Sequence, residues 1–75
     1  MQEFEINIRS FQQVQDFVRL ACSQTFDIRV GNDRQNINGK DLMGMFSLDF
    51  AHPLMVRTQE DCPLFRQEAL QLLAE

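Results

Sequence analysis

The chain has no tryptophan and no tyrosine, one histidine, two cysteines, three glycines and two prolines, and each scarcity closes off a class of function. A lone imidazole, His52, has no visible cluster of partners for metal binding or acid–base catalysis; beside Pro53 it reads as a solvated turn residue. Cys22 and Cys62 lie far apart with no CxxC or metal-type spacing, so the expectation is two free thiols, buried or half-buried, and no metal site. No apolar run approaches the roughly 20 residues that span a bilayer, and the acidic, alternating start is unlike a signal peptide. A cytoplasmic protein away from the membrane is expected. Basic residues are few as well: seven Lys and Arg against eleven Asp and Glu give a net charge of −4. They are scattered rather than gathered on one face, which argues against nucleic acid as a partner.

What remains is an ordinary globular composition, 44% apolar with seven phenylalanines over 75 residues. That length fits one domain, residues 1–75, near the lower limit for folding without disulfide or metal staples. No linker, repeat or low-complexity segment interrupts it.

Hydrophobic periodicity divides the chain into seven elements. Phe4, Ile6 and Ile8 alternate with Glu3, Glu5, Asn7 and Arg9, a strand with one buried and one wet face. From Phe11 the period becomes helical: Val14, Phe17, Val18 and Ala21 form one stripe, Ser10 stands where an N-cap belongs, and the helix runs to about Ser23. Phe26, Ile28 and Val30 alternate again. Gly31-Asn32-Asp33 then offers residues that tolerate positive φ, so a hairpin leads to Arg34–Asn38 with Ile37 inward, and Gly39 closes it. A short helix is expected over Asp41–Leu48, with the Asp41 carboxylate accepting a bond from a first-turn N–H. Phe50-Ala51-His52-Pro53 reads as a turn, and Leu54, Val56 and Thr58 as the inward face of a fourth strand. Asp61 and Pro63 open a last helix with Phe65, Ala69, Leu72 and Leu73 as its core stripe. One-faced strands suggest an antiparallel sheet, and its apolar side needs helices over it; β-α-β-β-α-β-α therefore predicts a two-layer α+β domain.

The block Gly39–Phe50, GKDLMGMFSLDF, carries more apolar side chains than one buried helix face can hold. If Met45 and Leu48 fill the inward stripe, Met43 and Phe46 lie well off it and Leu42 joins them. Leu42, Met43 and Phe46, with Phe11 at the neighbouring helix start, form a candidate partner-binding surface, because methionine and aromatic side chains suit adaptable contacts. Ser47, mid-helix, is expected to bond back to a carbonyl.

The same block resembles the second helix of the histidine-containing phosphocarrier (HPr) family of the bacterial sugar phosphotransferase system, through Lys40, Met43, Gly44, Ser47 and Leu48. Aligned without gaps, the likeness runs from about Glu3 to Thr58 and resumes at Glu68-Ala69-Leu70. It implies an HPr-like open-faced sandwich, a four-stranded antiparallel sheet covered on one face by three helices. In the family a histidine at the start of the first helix carries the phosphoryl group beside an arginine; here Ser10 and Gln12 occupy those places. No His, Asp or Glu within the next five residues serves Ser10 as a base, so its role reads as capping, and no catalytic residue is assigned. The family's regulatory serine position is Asp41, either a plain N-cap or a permanent imitation of phosphoserine with less charge and fewer acceptor oxygens.

The resemblance and the residues together imply a small cytosolic regulatory or protein-binding module. It would use no cofactor, have no enzymatic activity, and dock a protein partner, a phosphotransferase-system component or a transcriptional regulator, through the second-helix surface. Two alternatives stand beside it: a divergent phosphocarrier still active in phosphoenolpyruvate-dependent sugar phosphotransfer, and a structural module that dimerises through an exposed sheet edge rather than acting as a monomer.

Overall fold

Among the described residues, four strands and three helices form in the expected order: β1 Gln2–Ile6, α1 Phe11–Cys22, β2 Ile28–Gly31, β3 Asn36–Asn38, α2 Leu42–Met45, β4 Leu54–Thr58 and α3 Pro63–Leu73. The computed structural model describes residues 1–32 and 34–74. The strands pair antiparallel throughout, in the spatial order β1-β4-β2-β3. One row across the sheet reads Phe4, Val56, Val30 and Ile37 and faces the helices. The next row reads Glu3, Arg57, Arg29 and Asn38, residues whose exposure places them on the opposite, helix-free face. Period-two patterning thus puts the apolar strand residues under the helical layer, except Met55, which lies in the outward phase of β4.

The core between the layers is organised around Phe65 of α3. Its ring makes edge or tilted contacts with Phe4 of β1 (6.0 Å), Phe17 of α1 (6.2 Å) and Phe26 (5.9 Å), so one aromatic cluster joins sheet and helices. Val14, Phe17, Val18 and Ala21 are buried as the helical stripe predicts, as are Phe65, Ala69 and Leu73, while Leu72 is half-buried.

Several local expectations are corrected. No residue among those described has positive φ; Asp33, part of the expected turn, lies outside the described residues. The turn instead closes through Asn32, whose Oδ1 accepts from the backbone N–H of Arg34 (2.8 Å) and Gln35 (2.9 Å), and whose own N–H donates to the Gln35 carbonyl (2.9 Å). Gly31 is needed for space rather than for its dihedral freedom, since a Cβ there would collide with that same Gln35 carbonyl oxygen. β3 begins at Asn36 rather than Arg34, and Phe26 precedes β2. Cys22 is exposed, not buried, because α1 turns its far side to solvent at that point; Cys62 is half-buried, and both are free thiols. Asp61 does not cap α3: it forms an ion pair with the N-terminal amine (3.5 Å), and Cys62 takes the N-cap position without a side-chain bond.

Candidate functional site

The surface at the start of α1 and around α2 is built by two local arrangements. At α1, Ser10 is extended (φ −152°, ψ 161°) and its Oγ accepts from the Gln13 N–H (3.2 Å), while the Gln13 Oε1 reaches back to accept from the Arg9 N–H (2.6 Å). Together these satisfy backbone donors that the helix start leaves free, in the manner of a capping box. Gln13 is buried in doing so. The Ser-x-x-Gln spacing carried this signal in the sequence, and periodicity alone missed it because glutamine is polar. Gln12 donates from Nε2 to Asp16 Oδ1 (2.9 Å) along the helix. Among the described residues, no imidazole or carboxylate bonds the Ser10 hydroxyl.

At α2 the entry is arranged by Asn38 rather than by Asp41. The Asn38 carbonyl accepts from the Asp41 N–H (2.9 Å) and its Oδ1 from the Lys40 N–H (3.0 Å). Asp41 does occupy the N-cap position, and its own carbonyl accepts from Met45, but its carboxylate makes no capping bond. The expected carboxylate cap is therefore absent; at φ −102°, ψ 104° the side chain lies beside Gly44 instead. Lys40 ties this entry to the end of α1 by donating from Nζ to the Gln24 carbonyl (2.9 Å).

The helix itself is shorter than the expected Asp41–Leu48 span, ending at Met45 and continuing as a turn in which Ser47 Oγ donates back to the Gly44 carbonyl (2.6 Å). Met45 and Leu48 are buried, and Gly44 rests against Ile37 of β3, where a Cβ would come within 2.7 Å of the Ile37 side chain. With its inward side fixed by Gly44 and Met45, α2 turns its remaining apolar residues outward. Met43 is 80% exposed, Phe46 38% and Leu42 36%. Phe11, 71% exposed at the start of α1, stands edge-on to Phe46 with ring centroids 5.5 Å apart and planes at 75°. Phe11, Leu42, Met43 and Phe46, singled out on different segments of the sequence, thus belong to one apolar surface that spans the entrances of α1 and α2. Asp41 is exposed at its margin.

Other sequence candidates stand apart from this chemistry. His52 is an exposed turn residue and lines an open cavity of about 490 Å³ with Glu5, Arg34 and Asp49 among its walls. No group of three or more His, Cys, Asp or Glu side chains among the described residues is placed to hold a metal ion.

Comparison with known proteins places this geometry. No protein-family model matches the sequence, and no curated protein matches it significantly. Solved structures do. The crystal structure of HPr-C-His from Thermoanaerobacter tengcongensis is similar with a TM-score of 0.74 and 25% identity over 97% of this chain and 86% of the other. This is an HPr-like fold. The phosphocarrier protein HPr from Bacillus anthracis str. Ames superposes equally well, TM-score 0.75 over 96% of this chain and 95% of the other, with only 16% identity. The HPr-like architecture therefore persists while most side chains differ. Among the described residues, no helix is long and apolar enough to cross a membrane.

Proposed function

We propose that this chain is a cytoplasmic HPr-like protein-binding module that carries no phosphoryl group and has no enzymatic activity of its own. The observation that supports this reading best is the exposed Phe11–Phe46 pair, flanked by Leu42 and Met43, at the entrances of α1 and α2. Aromatic and methionine side chains at the centre of such a surface give a partner large contact area at little entropic cost. The neighbouring polar groups support the same view. Ser10 accepts a helix N–H and has no base, and Gln12 is engaged with Asp16, so neither supplies the basic nitrogen or the free cation that phosphate capture at this helix start requires.

The partner is a protein, a phosphotransferase-system component or a transcriptional regulator, and no cofactor takes part. The module acts as a monomer. β1 leaves an open sheet edge, but a two-fold antiparallel pairing centred on Phe4 would set Glu3 and Glu5 of opposite copies against each other. The test is incubation with phosphoenolpyruvate and the general phosphotransferase enzyme, followed by intact-mass analysis and by a pull-down with the Phe11→Ala/Met43→Ala variant as control. Unchanged mass and loss of the captured partner in the variant are expected; a stoichiometric gain of acid-labile phosphate refutes the reading.

A further inference from the structure

On the helix-free face of the sheet, Arg57 of β4 lies between Glu3 of β1 and Arg29 of β2 in one cross-strand row. Glu3 and Arg57 form the favourable half of that row, with Nε to Oε2 at 2.8 Å. Arg29 and Arg57 form the unfavourable half, since like charges directly opposite each other destabilise a sheet. Among the described residues, the Arg29 guanidinium has neither an ion pair nor a hydrogen bond.

The two arginines share the wall of an open depression of about 300 Å³ with Gly31, Asn32, Gln35, Asn36 and Met55. On a chain of net charge −4, this depression carries two cations; no acidic residue is among the described residues that line it, and Asp27 lines the adjoining depression that shares Arg29, Asn36 and Arg57. Gly31, the next outward position of β2, places no side chain there, and across from it Asn36 brings an amide. Arg57 donates to Glu3 through Nε, which leaves its terminal nitrogens for a second acceptor; Arg29 has its whole fork available.

We propose that this face binds a phosphate group, held between the Arg29 and Arg57 guanidiniums with the Asn36 amide as a further donor. A phosphate dianion supplies both what the row lacks, a negative charge between two like cations, and enough acceptor oxygens for two planar forks and an amide. The ligand class is inorganic phosphate or a small phosphomonoester. The site lies on the opposite side of the sheet from α1 and α2, so it is independent of the docking surface proposed above.

Titration of the ¹⁵N-labelled protein with sodium phosphate, at ionic strength held constant with sodium chloride, tests this. The Nε–Hε signals of Arg29 and Arg57 and the Asn36 side-chain amide should shift saturably, with Ser10 and Leu42 amides unmoved. Arg29→Gln, an exposed change, should weaken binding about tenfold and Arg29→Lys less, because lysine keeps the charge but not the fork. A parallel titration with glycerol 3-phosphate separates the sources: tighter binding than phosphate assigns a phosphomonoester, weaker binding free phosphate. Shifts that follow sodium chloride equally well, that never saturate, or that centre on the start of α1 overturn the proposal, as does undiminished affinity in folded Arg29→Gln. Should that variant not fold, Asn36→Ala gives the same decision, with weakened saturation expected and unchanged affinity of the arginine signals overturning the site.

Discussion

Truncating Phe46 to alanine distinguishes a contact surface from a core. Full burial of a phenylalanine contributes about 1.5–3 kcal/mol. Phe46 remains 38% exposed, so roughly three-fifths of that, about 1–2 kcal/mol, is at stake. Its edge-on contact with Phe11 at 5.5 Å adds about 0.5 kcal/mol, the low end for an aromatic pair, because both rings reach solvent. Phe46→Ala should therefore cost about 1.5–2.5 kcal/mol. The control is Phe65→Ala, which removes the fully buried hub touching Phe4, Phe17 and Phe26 and should cost about 3–5 kcal/mol, enough to unfold a domain of marginal stability. Urea unfolding with a common m value measures both, and a double-mutant cycle with Phe11→Ala should return a coupling near 0.5 kcal/mol. A Phe46→Ala cost equal to that of Phe65→Ala, or zero coupling to Phe11, would refute the claim that these rings form a surface rather than an extension of the core.

Three further substitutions test the surrounding construction. Asp41→Ala should cost less than about 0.5 kcal/mol in thermal unfolding, since no capping bond is lost and an ordinary cap removal costs about 1 kcal/mol; a markedly weaker partner complex from Asp41→Ser at unchanged stability would instead mean that the partner reads the negative charge. Gln13→Ala should lose about 1 kcal/mol because the Arg9 N–H loses its acceptor, whereas Gln12→Ala, removing an exposed bond to Asp16, stays within about 0.5 kcal/mol; equal costs in chemical denaturation would discard the buried box. Gly31→Ala should destabilise by about 1–3 kcal/mol, since the obstacle is the Gln35 backbone carbonyl rather than a movable side chain, and unchanged hydrogen exchange across β2 and β3 would contradict it.

Much of the fold was legible because one-sided burial writes its period into the chain. Alternation in β1 and β4 and the i, i+3, i+4, i+7 stripe of α1 each reflect an element with one dry and one wet face. Where several weak local preferences compete, the sequence reading erred. Asp41 has the chemistry of a cap, yet Asn38 reached the turn first with both its carbonyl and its side chain. Asp61 is likewise a plausible cap that instead meets the N-terminal amine, a group sixty positions away whose approach depends on β1 pairing with β4.

By itself the sequence determined the order of the elements, the identity of most of the core and the surplus of apolar residues in the Gly39–Phe50 block, because these follow from composition and period along a single segment. Tertiary structure decided what no segment encodes alone: that β4 inserts between β1 and β2, which sets Arg57 against both Glu3 and Arg29, and that α2 rests on Ile37 through Gly44, which turns Phe46 outward to meet Phe11. The physical reason is that burial fixes a residue's face locally, whereas its neighbour on that face is chosen by strand order and by the close approach of elements distant in the chain.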